Sequence, residues 1–176
     1  MKNISRRQAL TQFAFVSAGM VLIPSCMQNR SKSNLLLKKI KVSPADEAML
    51  AELCETIIPK TDTPCAKDLS AHLFVLMMVD DCSKKELQDE FMNGIKAFNE
   101  FNQQTNNKNF LDANQNERHT VLNKILLIKD EKSPVLVFFN NIKKRTIQAY
   151  TSSEFFLSKV QVYELIPGRY HGCVLA

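Results

Sequence analysis

The chain has 176 residues, of which 45% are hydrophobic and 23% are charged, and its formal net charge is +5. Eight of its 23 basic residues precede Asp46, so the rest of the chain carries 15 basic against 18 acidic residues. The basic character belongs to the N-terminal segment, and no basic stripe with interleaved aromatics argues for nucleic-acid binding. About 135 residues follow that segment, enough for one ordinary domain with a single core.

The first 26 residues predict an export signal. Arg6 and Arg7 are paired, no acidic residue precedes them, and residues 13–23 carry no charge. This pattern is typical of a twin-arginine signal. The uncharged stretch is shorter than the roughly 20 residues that span a bilayer. An amphipathic first helix of a cytoplasmic domain is the alternative, but its polar residues would recur every three to four positions, and they do not.

Residues 22–26 resemble a lipobox, in which Cys26 is lipidated and becomes the mature N-terminus. The protein is then tethered to a membrane outside the cytoplasm. Without the lipid, it is either soluble there or held by an uncleaved signal. The expected organisation is a signal over 1–26, a basic tether over 27–42 that lies near anionic headgroups, and a helical domain over 43–176, with no membrane-spanning segment after the signal.

Helical patterns follow along the chain. Ser43 as N-cap, Pro44 at the first position and Asp46 in capping-box geometry predict a helix that ends near Pro59. Its inward residues are Met49, Leu50, Leu53 and Ile57. The apolar stretch 69–79 predicts a second helix that is buried on most sides, with a buried strand as the alternative.

Three more helices are predicted, beginning at a Ser83/Glu86 capping box, at Leu111-Asp112 and at Ser133-Pro134. The inward residues are Phe91, Ile95, Phe98 and Phe101 or Asn102 in the third helix, Val121, Leu122, Ile125 and Leu126 in the fourth, and Leu136, Phe139, Ile142, Ile147 and Tyr150 in the fifth. The expected fold is all-α: a small bundle of about five helices with an irregular tail over 151–176.

Motifs for catalysis or cofactor binding are missing from the sequence. It has no phosphate-binding glycine loop and no Cys-x-x-Cys-His haem motif, and its cysteines lack zinc spacing. His72 and His119 fall in predicted helices, where a histidine is more often structural than a ligand. His171 is the best metal candidate, and an enzyme that uses His171 and Cys173 is one alternative function.

Two segments, 56–64 and 163–173, are unusual for loops. The first places prolines around polar capping residues, and the second carries two tyrosines and an arginine. They are either ordered turns that close the bundle or a partner interface, because short rigid segments lose little entropy on docking. The interface residues would be Ile58, Pro59, Thr61, Asp62, Thr63, Pro64, Tyr163, Pro167, Gly168, Arg169 and Tyr170.

The Arg6-Arg7 leader, the segment 57–64 and the ending 167–173 together resemble the gluconate 2-dehydrogenase subunit 3 family over essentially the whole chain. Members of that family are small, mostly helical, cofactor-free subunits of membrane-associated sugar or polyol dehydrogenases. The resemblance implies a large partner that is an FAD-containing oxidoreductase of the glucose-methanol-choline type. It also implies a multihaem cytochrome c as a frequent third subunit, and no catalytic residue on this chain.

The cysteines suit an oxidising compartment. With Cys26 assigned to lipid, four cysteines remain and allow three pairings. Cys65 and Cys173 lie in the two loop motifs, so a disulfide between them, or from either one to a partner, is a hypothesis. The alternative to disulfide formation is that Cys54 and Cys82 are simply buried small hydrophobic residues, the commoner fate of a helical cysteine.

The function expected from these features is a non-catalytic subunit that binds, co-exports and membrane-tethers an FAD-dependent dehydrogenase. The alternative is a stand-alone exported lipoprotein that binds a ligand within its helical domain.

Overall fold

A computed structural model describes residues 37–161, which form five α-helices and a short π-helical turn. The helices are α1 (Pro44–Ile57), α2 (Ala71–Cys82), α3 (Lys85–Asn106), α4 (Gln115–Leu126) and α5 (Pro134–Thr151), and the π-helical turn is Phe156–Val160. This range contains no strand, so the all-α prediction is confirmed. No helix within it has the length and apolar character to cross a membrane.

Helix α1 begins as its sequence predicts. The Ser43 hydroxyl accepts a hydrogen bond from the Asp46 backbone N–H at 3.1 Å and donates to the Asp46 carboxylate at 2.6 Å. Pro44 occupies the first turn, where its missing N–H costs nothing. The helix ends at Ile57, two residues before Pro59.

Helix α2 forms as predicted, and the burial expected on most of its sides is confirmed, because only Met77 is exposed among residues 71–80. Val75, Leu76 and Val79 are buried, whereas Met77 is 43% exposed. Helices α1, α3 and α5 all pack against α2, yet they leave one stripe of it facing solvent. The continuous apolar run therefore predicted both the helix and its enclosure on most sides, apart from the stripe that contains Met77.

The predicted capping box at Ser83 and Glu86 is wrong. Helix α2 extends to Cys82, so the Ser83 hydroxyl donates back to the Met78 carbonyl at 3.2 Å and serves the end of α2 instead. The neighbouring carbonyls are bound by Gln88, which is 2% exposed and whose Nε2 donates to Val79, Asp80 and Ser83. One buried amide thus satisfies the C-terminal carbonyls of α2.

Helix α4 begins three residues later than Leu111-Asp112 predicted. Its N-cap is Asn114, which forms a reciprocal capping box with Glu117 at 3.0 and 2.8 Å. Two satisfied N–H groups favour this start over the earlier one. Leu126, expected to face inward, is 53% exposed because the helix ends there.

Helices α3 and α5 cross in the centre of the core. Phe138 of α5 packs on Phe91 and Phe98 of α3, with ring centroids 5.3 and 5.8 Å apart. A Cβ added at Gly94 would lie 2.6 Å from the Phe138 Cβ. Glycine at position 94 therefore permits the approach of the two helices, because any larger residue would displace Phe138.

The inward face of α5 matches the predicted one in part. Phe139 and Ile142 are buried as expected, but Ile147 is 44% exposed. Phe138 and Thr146, which the pattern did not select, are buried in the core. The Thr146 hydroxyl lies 3.2 Å from the Cys54 sulfur of α1, which gives this buried polar group a partner.

Residues 37–42, predicted as the end of a solvated tether, pack on the helices. Three consecutive backbone N–H groups, those of Lys38, Lys39 and Ile40, donate to the Asp80 carboxylate of α2 at 2.9, 2.7 and 2.8 Å. Ile40 is 5% exposed and belongs to the core, and Asp80 is 2% exposed. Leu37, Ile40 and Val42 thus pack on the core, while the three lysines between them stay exposed.

Burial alone would raise the pKa of Asp80, but the three N–H donors hold its pKa below the usual value. A carboxyl with a lowered pKa contributes stability above its unfolded pKa of about 4 and loses it as the pH falls through the folded value. The attachment of residues 38–40 should therefore be intact at neutral pH and weaken below about pH 4.

Asp80→Asn should lower the free energy of unfolding by about 2 kcal/mol, because a neutral amide offers one acceptor oxygen to three backbone N–H donors that are at least partly buried. Urea unfolding at neutral pH measures this change. The matched control is Asp81→Asn, which alters the adjacent, exposed carboxylate. Equal stability of the two variants would contradict the role of Asp80. So would hydrogen exchange in which the amides of residues 38–40 lose their protection at low pH in Asp80→Asn just as they do in the unchanged protein.

Candidate partner interface

The predicted interface loop, residues 58–64, joins α1 to the turn before α2 and is exposed in its middle part. Pro59, Thr61 and Asp62 are exposed, whereas Ile58, Thr63 and Pro64 are half-buried. Ile58 packs against the core, so the base of the loop is anchored and its tip is free to contact another molecule.

The tip is held by two threonines on either side of Asp62. The Thr61 N–H donates to the Thr63 carbonyl at 3.2 Å, and the Thr63 N–H donates to the Thr61 hydroxyl at 3.3 Å. The two hydroxyls lie 3.1 Å apart. This turn presents the Asp62 carboxylate outward without relying on any helix.

The loop is closed at its base by bonds to the helices. The Ala66 N–H donates to the Ile58 carbonyl at 3.1 Å, which brings the two ends of the loop together. The Tyr150 hydroxyl of α5 donates to the Pro64 carbonyl at 3.2 Å. Because both ends are fixed, the loop loses little conformational entropy when it docks.

Glu52 of α1 joins this region to the rest of the bundle. Its carboxylate binds Lys67, which follows the loop, and Arg118 of α4. Burial alone would raise the pKa of Glu52, but hydrogen bonds and charges from Lys67 and Arg118 lower it below the usual value. Lys67 also lies 3.4 Å from Glu55, so two carboxylates of α1 hold one cation beside the loop.

Arg118 extends the same network to the loop between α3 and α4. Its guanidinium donates to the carbonyls of Phe110 and Leu111, both at 3.2 Å, and lies 5.3 Å from the centre of the Phe110 ring. Only 16% of the Arg118 side chain and 18% of the Glu52 side chain are exposed. At this degree of burial, dissolved salt weakens the attraction between the two charges much less than at an exposed site.

Cys65 follows the loop and is 2% exposed. Its N–H donates to the Asp68 carboxylate and its sulfur accepts from the Asp68 N–H, both at 3.4 Å. Burial and the nearby Asp68 raise the pKa of the Cys65 thiol. Its proposed disulfide partner, Cys173, lies outside the described residues, so that pairing stays a prediction.

The other two cysteines of the described region differ from each other. Cys54 is fully buried, and burial raises its pKa to about 11, as expected for a structural thiol. Cys82 is exposed, so its predicted burial is wrong: it lies in the last turn of α2, beyond the packed face. All three thiols in residues 37–161 are free of disulfides.

A groove of about 660 Å³ lies between the start of α2 and the end of α5. Leu69, Phe74, Ala149 and Phe155 form its apolar part, and Ser153 and Lys159 lie among its polar residues. The Tyr150 ring packs on Phe155 and Phe156 at 6.5 and 6.1 Å while its hydroxyl binds Pro64. Tyr150 thus links the groove to the loop, and together they form one candidate interface.

Several predicted functional residues lie outside the described range. They are Arg6, Arg7, Cys26, Tyr163, Pro167, Gly168, Arg169, Tyr170, His171 and Cys173. Of the two remaining histidines, His119 is exposed on α4, and the Nδ1 of His72 is buried with no hydrogen-bond partner in the part of the chain described. Burial lowers the pKa of His72, which keeps the ring neutral at physiological pH. In residues 37–161 no group of three His, Cys, Asp or Glu could hold a metal ion.

In a comparison with known families, the model of gluconate 2-dehydrogenase subunit 3 matches residues 44–168. The chain belongs to the gluconate 2-dehydrogenase subunit 3 family. The matched region begins at the first residue of α1, contains the 58–64 loop and ends at Gly168, so it includes both helical core and loop motif. Comparison with curated proteins and with solved structures gives no match.

The family-matched region contains residues that hold the interface loop in place and that the sequence motifs did not identify. Glu52, Lys67, Arg118 and Tyr150 fix the loop, yet they are 15 to 98 positions apart from one another in the sequence. Nothing in local spacing connects them. Only the pairing of acidic Glu52 and Glu55 on one side of α1, three residues apart, signals that a cation is held there.

Glu52→Gln should lower the free energy of unfolding by about 1–2 kcal/mol, because it leaves Arg118 and Lys67 without their shared, partly buried carboxylate. It should also speed amide hydrogen exchange in residues 58–70. The control is Glu55→Gln, whose side chain is 35% exposed and lies 3.4 Å from Lys67. A change of less than about 0.5 kcal/mol is expected there. Equal effects of the two substitutions would exclude Glu52 as the support of the loop.

Proposed function

We propose that this chain is a non-catalytic accessory subunit that binds, co-exports and membrane-tethers an FAD-dependent sugar or alcohol dehydrogenase of the gluconate type. The observation that carries the proposal is family membership over 44–168. The loop and groove support it, because they offer a rigid polar tip beside an apolar depression.

The binding role rests on the geometry of the loop. Asp62 is presented at the tip by a turn that is already hydrogen-bonded, and Tyr150 connects this turn to the groove. A preformed surface of this kind retains more of its contact energy on association than a surface that must first become ordered. The large FAD-containing oxidoreductase of the glucose-methanol-choline type is the proposed occupant.

The co-export role rests on the leader. The twin-arginine route carries folded proteins, and a chain with no cofactor of its own gains little from folding before export. A flavoprotein gains more, because its FAD is inserted in the cytoplasm. Arg6 and Arg7 would therefore serve the partner as well as this chain, and Cys26 would hold both proteins at the membrane after export.

The proposed division of labour leaves the redox chemistry to other subunits. FAD belongs to the large partner, and a cytochrome c subunit with covalent haem would take the electrons onward. This chain supplies docking surfaces and the attachment to the membrane.

Affinity capture of the tagged full chain from its native membranes tests the binding role. We expect a stoichiometric flavoprotein in the eluate, identified by mass spectrometry and by its flavin absorbance. Asp62→Lys should reduce the captured flavoprotein at least tenfold, whereas Glu100→Lys, the same charge reversal at an exposed site on α3, should leave it unchanged. A flavin-free monomer would favour the stand-alone lipoprotein with a ligand-binding groove.

Replacement of Arg6-Arg7 by Lys-Lys tests the co-export role. Both this chain and the dehydrogenase should then stay in the cytoplasm, as measured by cell fractionation and dehydrogenase activity in each fraction. Cys26→Ser is the control, because it removes the lipid site and keeps the paired arginines. Continued export of the dehydrogenase from the Lys-Lys strain would refute the shared signal.

A further inference from the structure

The groove between the start of α2 and the end of α5 leaves apolar surface in contact with water. Its apolar side chains are only half-buried by the described residues; they are those of Leu69, Phe74, Ala149 and Phe155. Covering such surface with another apolar segment is favourable, because it removes both surfaces from water. The groove therefore has the character of a docking site for an apolar stretch of chain.

The segment that follows the described residues starts at the rim of this groove. Ser158 and Lys159 of the π-helical turn line the groove, and Gln161 is the last residue described. Fifteen residues follow Gln161 in the sequence. Three peptide steps from Lys159 cover at most about 11 Å, so residue 162 lies close to the groove wall.

The composition of this segment suits the groove. Four of the first five residues after Gln161 are apolar or aromatic; they are Val162, Tyr163, Leu165 and Ile166. Such a run is unfavourable in water. The family match continues to Gly168, so the run belongs to the matched domain and is not an extension added to it.

The charges of the groove complement those of the segment. Glu154 and Lys159 line the groove and are exposed. The charged residues of 162–170 are Glu164 and Arg169. A chain that turns back after Gln161 brings Glu164 towards Lys159, and it brings the more distant Arg169 towards Glu154. Both encounters join opposite charges, which favours this direction of docking.

Covalent attachment favours this segment over a free molecule. A segment joined to its site by a short flexible linker experiences an effective concentration of the order of millimolar. A second copy of the chain would compete for the groove only at a comparable concentration. The segment of the same chain is therefore the favoured occupant.

We propose that residues 162–170 fold back into this groove and cover its apolar side chains. The proposal concerns the isolated subunit and does not depend on the identity of a partner. It brings the two interface segments predicted from the sequence together, because Tyr150 packs on Phe155 of the groove and binds Pro64 of the 58–64 loop. A partner that approaches the loop then meets the docked segment beside it.

A single tryptophan tests the proposal, because the chain contains none. Tyr163→Trp in the full chain, purified in detergent, should give emission that acrylamide quenches several-fold less than the emission of Leu127→Trp, whose site is 77% exposed. Adding Phe74→Asp to Tyr163→Trp should raise the quenching to the Leu127→Trp level, since a charge in the groove disfavours an apolar cover. Leu87→Asp makes an apolar-to-acidic change at an exposed site on α3 and should leave the protection intact.

A charge exchange keeps the test decisive if Phe74→Asp fails to fold, which circular dichroism would show. In the Tyr163→Trp chain, Glu154→Arg and Arg169→Glu should each raise the quenching. The two substitutions together should restore the protection, because they recreate the pair of opposite charges in reversed order. Glu154 is exposed, so its substitution leaves the core unchanged.

Three results would overturn the proposal. The first is quenching of Tyr163→Trp that equals the quenching of Leu127→Trp. The second is protection that survives Phe74→Asp and both single charge reversals, because the segment would then be buried elsewhere. The third is protection that appears only as the protein concentration rises, which assigns the groove to the segment of a second copy. Capture of the flavoprotein is a separate measurement, so its failure would refute the partner role and leave the docking of the segment standing.

Discussion

The close approach of α3 and α5 is the contact on which the rest of the bundle depends. Gly94 lets Phe138 sit against the α3 backbone, and the Phe138 ring then meets Phe91 and Phe98. Each such aromatic pair contributes about 0.5–1.5 kcal/mol beyond simple burial. Helix α2 packs on α5 beside this centre, and α1 packs on both, so the position of the interface loop follows from this crossing.

Two carboxylates on the α1/α2 pair then fix segments that have no secondary structure of their own. Asp80 binds the backbone of residues 38–40, and Glu52 binds Lys67 and Arg118. A buried carboxylate is unfavourable unless its hydrogen bonds are complete. Each segment is therefore held only when the helices are already packed, which makes its geometry a consequence of the folded core.

The sequence was sufficient for the class of fold and for most helix positions, because those depend on local signals. Ser43-Pro44 began α1 as predicted, and the spacing of Phe91, Ile95 and Phe98 identified the buried face of α3. Errors arose where a nearby element competed for the same residue. Ser83 carries a good N-cap side chain, but the preceding helix reaches Cys82 and uses its hydroxyl at the C-terminal end.

The same distinction between local signals and long-range contacts applies to the candidate site. The 58–64 loop was recognisable from its prolines and threonines, since these determine the turn locally. Its supports were not recognisable, because Glu52, Arg118 and Tyr150 meet only in the folded bundle. The docking of residues 37–42 was missed for a similar reason: three lysines in six residues suggest a solvated segment, whereas the contact that holds it uses backbone N–H groups, which are the same for every residue type except proline.

Tyr150 joins the two surfaces of the candidate interface. Its hydroxyl binds the Pro64 carbonyl at the base of the loop, and its ring packs on Phe155, which lines the groove. A fixed loop beside a groove suits the proposed role of binding a large soluble partner, because neither surface must first become ordered. With Glu52 supporting the loop through Lys67, the partner can bind without a rearrangement of the helical core.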